Sequence, residues 1–182
     1  VDIPIIGVVT PGAKVAAETT KNGRIGVIGT EGTIRSGIYS EILSKTNPKV
    51  EVFGKACPLF VPLVEEGLID DPVTTEMAGR YVSVLMDKQI DTLVLGCTHY
   101  PLLRKTIRKV VGDDINLVNP AYETAKTLAE VLERHGLNND SNPKTNHKFY
   151  VSDGAEKFKK FANTILPCEV IETKDINIEE LG

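Results

Sequence analysis

Short apolar runs rich in β-branched residues alternate with longer segments of helical periodicity along the chain. The apolar runs predict strands over residues 1–9, 24–29, 50–56, 91–96, 115–118, 148–152 and 169–173. The intervening segments predict helices over residues 33–44, 58–67, 71–88, 100–111, 122–135 and 155–166. Strands joined by helical crossovers form mostly parallel sheets with helices on both faces. The sequence therefore predicts an α/β fold.

Local signals set several of the predicted boundaries. Pro11 and Gly12 are expected to close the first strand, and Asp70 or Asp71 is expected to cap the helix that begins at Pro72. Residues 137–145 are rich in Asn, Asp, Ser and Pro and predict an exposed loop.

Composition narrows the class of partner and the compartment. A length of 182 residues suits one domain or two small lobes, and a net charge of −4 gives no basic surface for nucleic acid or an anionic membrane. No apolar run approaches the roughly 18 residues that a membrane span needs. Three cysteines without a CxxC pair indicate reduced thiols, so a cytoplasmic protein with a small-molecule partner is expected.

The residues just past each predicted strand are the first candidates for a binding site, because ligands of parallel α/β sheets bind there. Cys97 follows the apolar run DTLVLG within the segment GCTHYP. Amides at a helix N-terminus and the neighbouring His99 favour a thiolate, so Cys97 is a candidate base or nucleophile. The alternative is a buried, inert cysteine at a strand end.

The segment GTEGT, residues 29–33, occupies the equivalent place after RIGVI. Its glycines follow a GxxGxxG spacing, and the chain contains no GxxxxGK[ST] loop, so nucleotide binding is disfavoured. Thr30 or Thr33 is expected to cap the next helix, to donate to a ligand carboxylate, or to do both.

The remaining candidates are weaker. Cys57 precedes Pro58 in an apolar segment and is expected to be packed, whereas Glu65 and Glu66 are either solvated or able to orient a histidine. The cysteines and histidines lack CxxC, HExxH and HxxxH spacings, so no metal site is predicted. A GxSxG nucleophile elbow is also absent from the sequence.

The segment LGCTHYPLL, residues 95–103, strongly resembles the signature around the second catalytic cysteine of glutamate racemases, within the aspartate/glutamate racemase superfamily. Four further segments resemble successive parts of that family in its order: PIIGVVTPGAKVA, RIGVIGTEGTIRSGIY, ACPLFVPLVEEG and FYVSDGAEKFKKFA. The resemblance extends over essentially the whole chain. A histidine after Cys-Thr favours glutamate over aspartate.

The resemblance implies cofactor-independent inversion of the α-carbon of glutamate, which supplies D-glutamate for peptidoglycan. Inversion needs a base on one face of the substrate and an acid on the other, and a thiolate with a thiol suits both roles. By this resemblance Cys97 is one of the two thiols, His99 assists its proton transfer and contacts substrate, and Glu65 orients His99. Thr98 holds the substrate's α-carboxylate or amino group, and Thr30 contacts the substrate from the neighbouring strand end.

The chain departs from the family in one respect. Family members carry an Asp-Ser-Gly-type motif and a Cys-Asn-Thr motif upstream of the stretch that matches Val1, and neither Cys57 nor Cys168 lies in such a context. A two-lobed racemase-type fold with one incomplete lobe is therefore expected. Residues 10–114 would form the lobe that carries Cys97, and residues 1–9 with 115–182 would form part of the second lobe.

One thiol without its partner predicts a chain that is inactive alone. Two other functions stay open: racemisation of another amino acid such as aspartate, and a non-catalytic α/β module that binds a small molecule. A homodimer is also left open.

Overall fold

The computed structural model describes residues 4–139 and 147–181. The chain divides into two compact units, Val1–Leu137 and Asn138–Gly182. Within the described residues, no helix combines the length and the apolar character that crossing a membrane requires.

The first unit is built on a sheet of four parallel strands in the order β2-β1-β3-β4. The strands are β1 Arg24–Gly29, β2 Glu51–Ala56, β3 Thr92–Gly96 and β4 Asn116–Val118. Gly29 pairs with Ala56 on one side and with Gly96 on the other, so three strands end at the same level. This shared edge brings the residues that follow β1, β2 and β3 close together.

Seven helices accompany this sheet in the described residues of the first unit. They are α1 Val9–Thr19, α2 Glu31–Ser36, α3 Ile38–Thr46, α4 Phe60–Glu65, α5 Pro72–Met86, α6 Arg104–Val111 and α7 Pro120–Arg134. A 3₁₀ turn, Tyr100–Leu103, leads into α6.

Helices pack on both faces of the sheet. On one face, alanines of α1 and Leu43 of α3 enclose alternate strand residues such as Ile25 and Val94 in one buried cluster. On the other face, the side chains of Leu85 in α5 and Leu93 fill the space beside Gly26. The predicted α/β class with a parallel sheet flanked by helices is confirmed.

The second unit contains two parallel strands, β5 Phe149–Val151 and β6 Thr173–Asp175, joined through helix α8 Ala155–Ile165. The predicted strand over 169–173 is wrong, because β6 begins only at Thr173. Asn163 of α8 explains the shift: its side chain accepts from the Val170 amide at 2.7 Å and donates to the Val170 carbonyl at 3.2 Å. Both backbone groups of Val170 are therefore satisfied by a side chain rather than by a strand partner.

The predicted strand over residues 1–9 is also wrong where the structure describes it. Residues 4–8 form no strand, and Val9 begins α1. Pro11 lies in the first turn of α1, where no backbone N–H is needed. Gly12 packs closely against Pro120, and a Cβ atom on Gly12 would lie only 2.8 Å from the Cβ of Pro120. Both residues therefore belong to a helix and not to a turn. Residues 1–3 of the predicted strand lie outside the described residues.

The predicted helix over 33–44 is two helices, α2 and α3, separated by Gly37. The φ of Gly37 is +67°, a left-handed conformation that ends α2 and is easily reached only by glycine. Most of the predicted loop over 137–145 falls outside the described residues. The lobe boundary expected near residue 114 stays a prediction, while β4 extends the sheet of the first unit and the compact units divide at Leu137.

Candidate active site

Cys97 lies in the turn between β3 and the 3₁₀ turn, directly beyond the carboxyl end of the sheet. The amide of Tyr100 donates to the Cys97 carbonyl at 3.1 Å and closes this turn. Gly96 allows the close approach of its neighbours, because a Cβ atom there would lie 2.8 Å from the Ile28 carbonyl oxygen and 3.1 Å from the Tyr39 ring. The free thiol of Cys97 is half-buried and is held at the edge where parallel sheets bind ligands.

Glu65, His99 and Cys97 form a line of carboxylate, imidazole and thiol. Nε2 of His99 lies 3.5 Å from Oε1 of Glu65, and Nδ1 of His99 lies 4.0 Å from Sγ of Cys97. The side chains of His99 and Glu65 are 24% and 35% exposed, so both reach solvent at the sheet edge. A carboxylate at Nε2 favours the proton there, which leaves the Nδ1 lone pair facing the sulfur.

Thr98 and Thr30 lie at adjoining parts of the same edge. The hydroxyl of Thr98 is 3.4 Å from Nδ1 of His99, and Thr98 is exposed. Thr30 caps α2, because its hydroxyl accepts from the Thr33 amide at 3.2 Å and lies 3.0 Å from the Thr33 hydroxyl. The capping role expected of Thr30 is therefore present, and its contact with a substrate stays a prediction.

Cys57 and Cys97 differ sharply in environment. Cys57 is fully buried at the end of β2, and its thiol lies 3.6 Å from the Lys55 carbonyl oxygen. Burial raises the pKa of the Cys57 thiol to about 12, so this cysteine stays protonated at neutral pH. The structure thus agrees with the expectation that Cys57 is packed, while Cys168 lies half-buried in the second unit.

Sequence patterns alone missed two tyrosines beside the site. Tyr39 packs its ring against Gly96, and burial together with the nearby Cys97 raises its pKa to about 12. Tyr100 is fully buried, and its hydroxyl donates to the Cys57 carbonyl at 2.9 Å. A tyrosine in an otherwise apolar segment was the available signal, because a buried phenol needs a hydrogen-bond partner.

A third missed residue is Asn119, which follows β4 and caps α7. Its side-chain oxygen accepts from the amides of Ala121 and Tyr122 at 3.0 and 3.4 Å. The Asn-Pro pair directly after a strand was a readable cap signal. In the described part of the chain, no group of three or more His, Cys, Asp or Glu side chains is placed to hold a metal ion.

A parallel α/β sheet with a thiol, an imidazole and a carboxylate at its carboxyl edge is a scaffold equipped for cysteine acid/base chemistry. A comparison with protein families identifies this scaffold: the family described as Asp/Glu/Hydantoin racemase matches residues 1–128. The chain belongs to the Asp/Glu/hydantoin racemase family.

Glutamate racemases are among its most similar relatives. The chain is 45% identical over 177 residues to the glutamate racemase of Geobacter metallireducens, covering 97% of this chain and 66% of the relative. It is 49% identical over 169 residues to that of Chlorobaculum parvum, covering 93% and 62%. The chain thus spans slightly less than two thirds of the length of these relatives.

Solved structures give the same picture. A glutamate racemase isoform of Bacillus anthracis superposes with a TM-score of 0.89 at 38% identity, over 97% of this chain and 65% of the other. The glutamate racemase of Francisella tularensis, solved in complex with D-glutamate, superposes with a TM-score of 0.85 at 34% identity, over 96% and 64%. The fold of this chain therefore matches that of glutamate racemases.

Proposed function

We propose that this chain takes part in the interconversion of L-glutamate and D-glutamate, with Cys97 as one of two acid/base thiols. The observation that carries the proposal is the line from Glu65 through His99 to Cys97 at the ligand-binding edge of the sheet. Similarity to glutamate racemases, one of them solved with D-glutamate, supports the choice of substrate.

In the proposed reaction, Nδ1 of His99 accepts the Cys97 proton and leaves a thiolate. The thiolate removes the α-proton of one enantiomer: the Cα–H bond breaks, an S–H bond forms, and the electron pair spreads into the substrate's α-carboxylate. A second thiol on the opposite face then donates a proton to the α-carbon. In the reverse direction the two thiols exchange roles, which is why matched proton affinities suit this reaction.

The surrounding residues bind and orient. Glu65 faces Nε2 of His99 at 3.5 Å and orients the ring, so that Nδ1 is directed at the Cys97 sulfur. The exposed hydroxyl of Thr98 and the partly exposed hydroxyl of Thr30 are donors for the substrate's α-carboxylate or amino group. No cofactor enters this mechanism as proposed.

The second thiol is not assigned to Cys57, because a fully buried thiol with a pKa of about 12 cannot reach or deprotonate a substrate at neutral pH. Cys168 lacks the Cys-Asn-Thr context of the family motif. We therefore propose that these 182 residues supply one of the two thiols and are inactive alone. Incubation with L-glutamate, followed by chiral separation, is expected to yield no D-glutamate, and measurable turnover would overturn the single-thiol proposal.

Thiol alkylation tests Cys97 directly. With iodoacetamide at pH 7, Cys97 is expected to react at least about tenfold faster than Cys57, because reactivity follows the thiolate fraction and access. Peptide mapping of each site measures the three rates, and Cys57→Ser and Cys168→Ser variants serve as matched controls that retain Cys97. Glutamate is expected to slow only the Cys97 reaction.

The same experiment separates the alternatives. Stronger protection by aspartate than by glutamate would indicate a racemase for another amino acid. Slow and equal labelling of all three cysteines, with no protection, would support a non-catalytic binding module.

The biological setting follows from the same proposal. D-glutamate formed in the proposed reaction would serve peptidoglycan synthesis, and unpaired cysteines suit a cytoplasmic location. Size-exclusion chromatography with light scattering would decide between a monomer and the homodimer that the sequence leaves open.

A further inference from the structure

Tyr100 connects the two elements that carry Glu65 and His99. It directly follows His99 and begins the 3₁₀ turn, and its amide donates to the Cys97 carbonyl at 3.1 Å. Its hydroxyl donates to the Cys57 carbonyl at 2.9 Å, at the end of β2 and just before α4. The residue therefore ties the Cys97–His99 turn to the segment that leads into the helix of Glu65.

An aromatic contact reinforces this connection. The rings of Tyr100 and Phe60 meet edge to face, with centroids 5.2 Å apart and an angle of 89°. Phe60 is the first residue of α4, and Glu65 is the last. Both rings are fully buried, so the contact fixes α4 against the turn.

The hydroxyl of Tyr100 is suited to a permanent hydrogen bond with the Cys57 carbonyl rather than to proton transfer. Burial, together with the neighbouring cysteines and Tyr81, raises the pKa of Tyr100 well above its ordinary value. The phenol therefore remains protonated and donates throughout the working pH range. Its carbonyl acceptor at Cys57 also accepts from the Phe60 amide at 3.2 Å, so one oxygen holds both α4 and the turn.

We propose that Tyr100 is a positioning residue that, with Phe60, holds the Cys97–His99 turn against α4 so that the Glu65–His99–Cys97 line is maintained. The proposal rests on the function proposed above, because it concerns the proton transfer at Cys97. It predicts that Tyr100 acts on Cys97 through His99.

The test is a double-mutant cycle on the alkylation rate of Cys97 across pH 6–9, in the absence of substrate. Tyr100→Phe keeps the ring and removes the hydroxyl, and we expect it to lower the Cys97 rate near pH 7 by about fivefold, the scale of one lost buried hydrogen bond. In a His99→Gln background, Tyr100→Phe is expected to have no further effect, because the residue it positions is gone.

Tyr81→Phe is the matched control. Tyr81 also meets Phe60 edge to face, at 5.3 Å, and its hydroxyl accepts from the Leu59 amide at 3.3 Å. Tyr81 makes no hydrogen bond to the Cys97–His99 turn in the described structure, so the same chemical change there is expected to leave the pH profile of Cys97 within about twofold of the parent. Equal effects of the two tyrosine variants, or an undiminished Tyr100→Phe effect without His99, would overturn the proposal.

Two further measurements keep the outcomes distinct. Phe60→Leu, which retains the Tyr100 hydroxyl but loses the ring contact, enters the same cycle if circular dichroism shows Tyr100→Phe to be unfolded. Protection of Cys97 by glutamate is measured separately on the parent chain. If glutamate does not protect Cys97 but Tyr100→Phe still slows alkylation only when His99 is present, the glutamate proposal alone is refuted. If glutamate protects Cys97 but the Tyr100→Phe effect does not depend on His99, the positioning role alone is refuted.

Discussion

The two ring nitrogens of His99 face different groups, and this asymmetry defines its chemistry. Nε2 faces the Glu65 carboxylate at 3.5 Å, and Nδ1 faces the Cys97 sulfur at 4.0 Å and the Thr98 hydroxyl at 3.4 Å. Cys97 and His99 are two residues apart, so their proximity could be predicted from the sequence. Glu65 could only be left open as solvated or orienting, because its distance to His99 depends on how α4 packs.

Replacing Glu65 with glutamine is predicted to remove the carboxylate that faces Nε2 of His99 and orients the ring. Loss of the carboxylate is expected to slow alkylation of Cys97 at pH 7 by about two- to fivefold, the range for a partly exposed ion pair. Glu66→Gln is the matched control, since Glu66 is the exposed neighbour with the same side chain. An equal effect of the two substitutions would show that general charge, rather than the Glu65–His99 contact, sets the rate.

Gly96 is predicted to tolerate no side chain. A Cβ atom at this position would lie 2.8 Å from the backbone oxygen of Ile28, which cannot move without distorting β1. Gly96→Ala is expected to destabilise the fold by about 1–3 kcal/mol through overpacking and to slow Cys97 alkylation as the turn shifts. Urea unfolding measures the first effect and peptide mapping the second.

Gly79→Ala provides the contrasting glycine substitution. Gly79 lies within α5, and among the described residues an added Cβ would meet no atom within 4 Å beyond its chain neighbours and the backbone of its own helix. The substitution is expected to stabilise the fold by about 0.5–1 kcal/mol, because alanine is the better helix former. If both alanine variants changed stability in the same direction, the close approach at Gly96 would not be the cause.

At the level of elements, sequence patterns located most strands and helices. They failed where a side chain bonds to backbone groups, as Asn163 does at Val170, and where a glycine ends a helix, as Gly37 does. Strands β1, β2, β3 and β4 lie where periodicity places them, α5 lies where periodicity and its cap place it, and α7 lies within two residues of its predicted bounds. Helix α1 was missed because Pro11 and Gly12 usually mark turns. Gly12 instead allows α1 to pack closely against Pro120, more than one hundred residues away, and a local sequence pattern cannot contain such a contact.

The α1–α7 contact gives a prediction at this level. A Cβ on Gly12 would meet Pro120 atoms at 2.8–3.0 Å, so Gly12→Ala is expected to cost about 1–3 kcal/mol of unfolding free energy. Adding Pro120→Gly removes the Cβ and Cγ atoms that lie at 2.8 and 2.9 Å, and the double variant is expected to recover part of that loss. Urea unfolding of both single variants and the double variant measures the coupling, and strict additivity would contradict the close-packing explanation.

In the first unit as a whole, one end of the sheet presents the candidate site residues and the opposite end joins the strands. The carboxyl edge presents Cys97 and the capping hydroxyl of Thr30, both accessible to a ligand. The opposite edge is closed by Asp91, whose amide donates to the Arg24 carbonyl and whose carbonyl accepts from the Asn116 amide. Asp91 therefore joins β1, β3 and β4 at the end away from the candidate site.

The carboxylate of Asp91 makes this edge sensitive to pH. It accepts from the hydroxyls of Thr20 and Thr92 and from the amides of Lys21 and Asn22, at 2.6–2.9 Å. Partial burial acts to raise the pKa of Asp91, but these four hydrogen bonds outweigh it and hold the pKa below the ordinary value of 3.8. Because the folded-state pKa is the lower one, the carboxylate stabilises the fold above the unfolded-state pKa, and this contribution is lost as pH falls through the folded-state pKa.

Asp91→Asn is accordingly predicted to lower the unfolding free energy by about 1–2 kcal/mol at pH 7, since the amide replaces a charged acceptor by a neutral one. The difference from the parent chain is expected to shrink as the pH falls below the ordinary carboxyl pKa of 3.8. Urea unfolding at pH 7, 4 and 2.5 measures it, with Asp87→Asn at the exposed end of α5 as the control. A difference that stays constant across this pH range would show that Asp91 acts through shape alone, whereas a shrinking one shows that its charge stabilises the segment from Thr20 to Asn22 at this end of the sheet.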